Sequence, residues 1–282
     1  MSTLTHAYAK INLTLDITGK RDDGYHLLRM VMQSVSLCDQ LLLTQGEPGI
    51  CVYCGRIDVP CDETNTVHKA AAAFFAYSGI TPSLTVEIEK KIPSQAGLGG
   101  GSADAAAMLL SLNKIHQTGY STETLCNIGI QVGADVPFCV LGGTALAEGI
   151  GEKLTVLPAL PHCHIVICKP PVGVDTKRAY ALSDTASKTD QDYSTSMLNA
   201  IRSADLQMVA ANLGNEFERV IHLAEVAHIK NEMKSMGALG ACMTGSGSAV
   251  FGIFEEKLKA SACKTALAHH YSDTFLCEPV NP

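Results

Sequence analysis

Residues 92–112 read IPSQAGLGGGSADAAAMLLSL, and the rest of the chain is read outward from them. Four glycines fall in five positions, Gly97, Gly99, Gly100 and Gly101, ahead of Ser102 and an alanine-rich run. Just upstream, Leu84, Val86 and Ile88 alternate with Thr85, Glu87 and Glu89, the period of a half-buried strand. The local order is therefore strand, glycine loop, helix. Glycine lets a backbone approach a ligand and reach positive φ. The N-terminus of the following helix supplies free N–H groups and a positive dipole end. Together they form an anion cradle suited to phosphate. A glycine-rich turn without a ligand is the plainer alternative, and four clustered glycines at a helix start weigh against it.

The loop is not one of the common phosphate loops. A Walker A loop requires Gly-Lys-Ser/Thr, and no lysine lies between Lys91 and Lys114. A dinucleotide fingerprint requires a third glycine where Ser102 stands, and no strand ending in an acidic residue follows at the usual distance. The protein-kinase glycine loop travels with V-A-I-K, H-R-D and D-F-G, and none of these occurs.

Composition narrows the field further. With 282 residues, 46% of them hydrophobic, there is material for one large or two moderate domains. Net charge is -7 and no long basic run exists, which disfavours nucleic acid as a partner. No apolar stretch approaches the ~18 residues of a membrane span, and the N-terminal residues lack a signal-peptide pattern. A cytoplasmic protein is expected, with its eleven cysteines as free thiols. Cys51 and Cys54 form a C-x-x-C pair, but a second paired cluster is lacking, so they read as small apolar strand residues rather than as a metal site.

Taken in order, residues 7–17 alternate apolar with polar and predict a strand carrying Lys10 and Asn12 on one face. Residues 19–24 read as a turn, with Tyr25 and His26 immediately after it, where a ring and an imidazole could meet a ligand. Residues 30–37 and 40–44 read as two further strands. Residues 65–77 read as a helix, capped by Thr64 or Asn65 and closed by Gly79. A short helix is expected over 122–129. Asp135, between Gly133 and Pro137, is expected in a loop spanning 132–138, either as an Asx-turn residue or as a site residue. The Gly/Pro-rich segment 149–161 is the best domain boundary. A short buried strand follows at 164–169, then a short helix carrying Tyr180. Helical patterns recur at 194–203, 205–213 and 216–236. A second Gly/Ser loop holds Thr244, Gly245, Ser246, Gly247 and Ser248 and leads into a strand over 249–254. Two such loops, a lysine on a polar strand face and a loop aspartate point to phosphoryl transfer, a reaction driven by positioning and charge stabilisation.

Three stretches then carry a resemblance. AYAKINLTLDI, the loop from Pro93 to Ala103, and MTGSGSAVFGIF are similar to the three motifs of the GHMP kinase superfamily (galacto-, homoserine, mevalonate and phosphomevalonate kinases). AKINLTLDITGKRDDGYHLL, GLGGGSADAA and GADVPF resemble the branch of it whose substrate is a cytidyl diphosphate.

The resemblance implies an α+β fold of two domains. Residues 1–152 would be an ATP-binding domain like ribosomal protein S5 domain 2, and residues 153–282 a ferredoxin-like substrate-binding domain. It implies ATP-dependent phosphorylation of the 2-hydroxyl of 4-diphosphocytidyl-2-C-methyl-D-erythritol, in the non-mevalonate route to isoprenoids. A GHMP kinase for another small alcohol (homoserine or mevalonate) and a non-catalytic nucleotide-binding regulator are the alternatives.

By the same resemblance, Lys10 and Asp135 form the catalytic pair. Pro93, Ser94, Gln95, Ala96, Gly97, Leu98, Gly99, Gly100, Gly101, Ser102 and Ala103 wrap ATP, with Asn65, Lys90 and Lys91 beside the nucleotide. Asn12, Tyr25, His26, Thr176, Tyr180, Gly245 and Ser246 bind the substrate; Tyr25 and Tyr180 would sandwich the cytosine and His26 read its edge. No Glu of this sequence clearly matches the magnesium-binding carboxylate of other superfamily members, so Mg²⁺ would ride on the ATP phosphates, with Ser102 nearby. Asp175 stands where relatives carry Ser, and its side chain is expected to point away from the substrate's diphosphate. The expected oligomeric state is a monomer or weak homodimer.

Overall fold

The computed structural model describes residues 2–186 and 191–281. Its contacts group the chain into two compact units. The first comprises Met1–Lys10, Leu37–Ile92 and Gly99–Gly142; the second comprises Ile11–Ser36, Pro93–Leu98 and Gly143–Pro282. Strands β1 (Ser2–Lys20) and β2 (His26–Gln45) run through both. The glycine-rich loop is also shared, changing unit between Leu98 and Gly99.

In the first unit, β3 (Gly49–Cys54) pairs in parallel with β4 (Ser83–Glu89), which pairs antiparallel with the far end of β2. Helix α1 (Thr66–Ser78) packs over β3 and along α2 (Gly100–Ile115), with α3 (Thr122–Gly129) and α4 (Val136–Leu141) beside them. Small side chains allow that close approach: Ala70 and Ala71 on α1, and Ala103, Ala105, Ala106 and Ala107 on α2, are all buried. Phe74, Leu41, Leu43, Val86 and Phe138 fill the space around them. Asn65 caps α1 by accepting the Val67 N–H at 2.8 Å, and Gly79 closes it at φ 70°, the left-handed geometry that favours glycine.

In the second unit, the near ends of β1 and β2 are neighbours. Strand β1 also pairs in parallel with β8 (Gly214–Asn215), and β2 pairs antiparallel with β5 (Thr144–Gly149), itself paired with β6 (Lys153–Val156). A separate antiparallel sheet has the order β11 (Asp273–Cys277), β7 (His164–Lys169), β10 (Val250–Phe254), β9 (Gly240–Met243). Helices α8 (Ala224–Ser235) and α9 (Lys257–Ala268) pack on it. Numbered by chain position, that order is 4-1-3-2 in a βαββαβ arrangement, the ferredoxin-like pattern. Helices α5 (Thr176–Thr185), α6 (Tyr193–Arg202) and α7 (Leu206–Ala211) lie between β7 and β8 in the chain.

Several local expectations are corrected. The two strands expected over 30–37 and 40–44 are one strand, β2. The two positions between the expected strands are Cys38 and Asp39, and Asp39 is fully buried because its carboxylate accepts the backbone N–H groups of Lys91 and Ile92. The loop expected through residue 138 ends earlier. Val136 opens α4, and Pro137 is tolerated in the first turn, where backbone N–H groups have no intrahelical partner. The helical pattern of 216–236 divides into a 3₁₀ turn, Glu216–Arg219, and α8.

Candidate active site

The first unit assembles a cation, a carboxylate and a helix N-terminus. Lys10 leaves β1 with its side chain only 5% exposed, and its Nζ lies 3.3 Å from Oδ2 of Asp135. Asp135 immediately precedes α4, yet its carboxylate makes no capping bond to that helix, so the Asx-turn alternative is not what the structure contains. Its side chain is 31% exposed and open to a reactant. Gly99 caps α2 at φ +68°, and a Cβ placed there would come within 2.9 Å of the Lys10 Cγ. Only glycine can turn the chain here and leave room for the lysine stem. A Cβ at Gly133 would stand 3.7 Å from the Ser102 hydroxyl, so Ser102 in the first turn of α2 faces the loop that carries Asp135.

Beneath this turn lies a buried ion cluster that the sequence reading missed. The Lys90 ammonium is bonded to Asp39 and, at 2.6 Å, to Asp104 of α2. The three side chains are 6%, 0% and 5% exposed. Two carboxylates share one ammonium, so one negative charge is left over in a dry site. Burial above all, with Asp39 also contributing, pushes the Asp104 carboxyl up to about 7. Its Oδ1 is buried without a hydrogen-bond partner. The two lysines expected at the nucleotide therefore separate: Lys90 anchors α2 from below, whereas Lys91 is half exposed and pairs with Glu89 at 3.2 Å. Asn65, besides capping α1, donates its Nδ2 to the Pro60 carbonyl, so its amide is committed to the fold.

In the second unit, residues 93–98 of the glycine-rich loop meet the C-terminal Gly/Ser loop. The Thr244 Oγ1 donates to the Gly97 carbonyl at 3.3 Å and accepts the Asn12 N–H at 2.9 Å. Gly97 has φ +75°, and a Cβ there would fall 2.1 Å from the Thr244 carbonyl oxygen. Asn12 is buried, with its Nδ2 3.3 Å from the Met30 sulfur. Asn215, absent from the sequence reading, clamps the C-terminal loop by donating to the carbonyls of Met243 and Gly245 at 2.7 and 2.8 Å. The Thr176 and Ser246 hydroxyls, both expected at the substrate, are 2.9 Å apart. Asp175 is the N-cap of α5, accepting the Arg178 N–H at 2.9 Å.

The expected cytosine-reading residues also lie in this unit. His26 and Tyr180 stack, with ring centroids 4.4 Å apart and planes 15° from parallel. Tyr25 is 60% exposed. The His26 Nε2 is 2.7 Å from Asp184 Oδ1, and the other Asp184 oxygen accepts from Lys20 at 2.6 Å. Lys20, His26 and Asp184 line a cavity of about 530 Å³ together with Asp16, Arg29 and Asp192; Tyr25 and Tyr180 are not part of its lining. Asp184 was missed although it sits one turn beyond Tyr180 on the same helix, a four-residue spacing that puts both on one face.

The comparisons with known proteins bear on the fold and the family. The family models described as GHMP kinases N terminal domain and GHMP kinases C terminal match residues 65–143 and 197–273. A 4-diphosphocytidyl-2-C-methyl-D-erythritol kinase from Clostridium beijerinckii is 42% identical over 276 residues, covering 97% of this chain and 99% of the relative. One of the same name from Acetivibrio thermocellus is 41% identical over 279 residues, covering 97% of this chain and 98% of the relative. A crystal structure of 4-(cytidine 5'-diphospho)-2C-methyl-D-erythritol kinase superposes with a TM-score of 0.82 at 30% identity, covering both chains in full. A homoserine kinase structure from Cytophaga hutchinsonii reaches the same TM-score at 19% identity, covering 99% of this chain and 94% of that one, which speaks for the fold alone. The α+β architecture is thus that of the GHMP kinases, in both its N- and C-terminal parts. Within that class, the chain belongs to the 4-diphosphocytidyl-2-C-methyl-D-erythritol kinase family.

Proposed function

We infer that this chain phosphorylates the 2-hydroxyl of 4-diphosphocytidyl-2-C-methyl-D-erythritol with ATP, a step of the non-mevalonate route to isoprenoids. The observation that carries the reading is the Lys10–Asp135 pair beside Gly99 at the start of α2. The loop residues Gly99, Gly100 and Gly101 and the α2 N-terminus present N–H groups and a dipole end to the donor's phosphates. Asp135 accepts the proton of the acceptor hydroxyl, or holds that hydroxyl in line. Lys10, 3.3 Å away, stabilises the charge that spreads over the transferred group.

Among the described residues, no three His, Cys, Asp or Glu side chains converge as a metal cage. That donor set fits an Mg²⁺ carried by phosphates and water, with the Ser102 hydroxyl as the protein ligand. Bound there, the ion would neutralise charge on the phosphates. Tyr25, His26 and Tyr180 form the cytidyl-recognising set, with Asn12, Thr176, Gly245 and Ser246 supporting the rest of the substrate. Lys91 and residues 93–98 complete the nucleotide contacts, while Lys90 and Asn65 act through the fold that presents them. Residues 1–152 are the ATP-binding domain, which also lends Asn12, Tyr25 and His26 to the substrate, and residues 153–282 are the substrate-binding domain. We place the protein in the cytoplasm as a monomer or weak homodimer: its eleven cysteines are all free, and no helix is long and apolar enough to cross a membrane among the described residues.

The test is ADP release over a panel of alcohols. The cytidyl diphosphate substrate should support turnover at least a hundredfold above homoserine or mevalonate. Preference for either of those would move the chain to another branch of the superfamily, and ATP binding without turnover of any alcohol would leave only a nucleotide-binding regulator.

A further inference from the structure

The Asp184–His26 bond fixes which nitrogen of a neutral imidazole carries the proton. An ionised carboxylate only accepts hydrogen bonds. Asp184 is held ionised, its carboxyl kept below the usual range by the hydrogen bonds from Lys20 and His26. His26 Nε2 must therefore carry the proton that spans the 2.7 Å to Oδ1. In the neutral ring, Nδ1 is then a bare lone pair, and no protein group among the described residues hydrogen-bonds to it. Tyr180, stacked at 4.4 Å, fixes the plane of the ring. Lys20 holds the carboxylate from its other side, so the Asp184 orientation is set independently of any ligand.

We propose that Asp184 is a positioning residue for base selection: by taking the Nε2 proton of His26 it presents Nδ1 as an acceptor, which matches an exocyclic amino group and repels a carbonyl. A cytosine offers an amino group at the 4-position, whereas uracil offers an oxygen. The proposal rests on the reading of His26 as the residue that meets the base. It explains how a neutral imidazole, able to donate or accept at either nitrogen, can discriminate between the two pyrimidines. A buried acceptor facing a carbonyl leaves two lone pairs opposed, and sites built on such pairs reject the wrong partner strongly.

The experiment uses the full chain and two substrates, the cytidyl diphosphate of methylerythritol and its uridyl counterpart. Asp184→Asn is the decisive variant. Lys20 can only donate, so it takes the amide oxygen and turns the NH₂ toward His26. That NH₂ forces Nε2 to accept and moves the ring proton to Nδ1. The ratio of kcat/KM for cytidyl over uridyl substrate should fall at least tenfold, with KM for ATP unchanged. Asp184→Glu, which keeps the acceptor, should retain most of the preference. In ¹⁵N spectra the His26 Nδ1 should be unprotonated in the native protein and protonated in Asp184→Asn. An unchanged ratio in Asp184→Asn, or a protonated Nδ1 in the native protein, would overturn the proposal while leaving the substrate assignment intact. Failure of the native protein to turn over the cytidyl substrate would instead remove the reading on which both stand.

Discussion

Lys10 illustrates what one residue can reveal before its surroundings are known. On the alternating strand of residues 7–17 it could have been a solvated lysine. The structure buries it against Gly99 and turns its ammonium to Asp135. Replacing Lys10 with Ala should lower kcat by about 10²–10³, the scale of losing one charge-stabilising donor, while ATP affinity changes little; a fully active variant would return Lys10 to a solvation role. Gly99→Ala should act on the same group from the other side. The added methyl demands φ +68° and collides with the lysine stem, so turnover should fall without loss of folding. Tyr25→Ala should raise KM for the cytidyl substrate and leave KM for ATP unchanged; equal KM values before and after would remove Tyr25 from base recognition. Lys10, Asp135 and His26 were legible because each sits in a recognisable stretch. Asp184 and Asp39 were not. They meet their partners across 158 and 51 positions of sequence, and only the folded backbone closes those distances.

Helix α2 shows the same contrast at the scale of an element. Its start, its glycines and its alanine face are written in residues 92–112. What holds it down is the Asp39–Lys90–Asp104 cluster, which no local period signals. Removing the cation by Lys90→Ala strands two buried carboxylates and should cost about 3–5 kcal/mol of stability, measured by denaturant unfolding. The cluster also sets a pH dependence. The Asp104 carboxyl titrates higher in the folded chain, at about 7, than its ordinary value of 3.8. The folded state therefore binds more protons than the unfolded state across that interval, and this contribution is fully present below the unfolded value and lost as pH rises through about 7. Asp104→Asn removes the ionisation, so its melting temperature should gain on that of the native chain from pH 5 to pH 8. A difference that does not vary with pH would contradict the assignment.

At the scale of the whole molecule, the proposed site residues fall in both units. Lys10, Gly99, Ser102 and Asp135 belong to the first, and His26, Tyr180, Asp184, Thr176 and Ser246 to the second. The sequence motifs pointed to both sets, and the ferredoxin-like order of the second unit followed from resemblance rather than from the periodicity of its strands. Its last elements, α9 and β11, carry no motif, and the buried face of α9 is only Ala260, Cys263 and Leu267, too small to stand out as an apolar stripe. The central claim is that the Lys10–Asp135 pair carries the transfer step. Single-turnover phosphorylation of the cytidyl substrate, with enzyme and ATP in excess, tests it most directly in Asp135→Asn. The transfer rate should fall by about 10²–10⁴ with the affinity for ATP preserved, whereas a variant that transfers phosphate at the native rate would contradict the account.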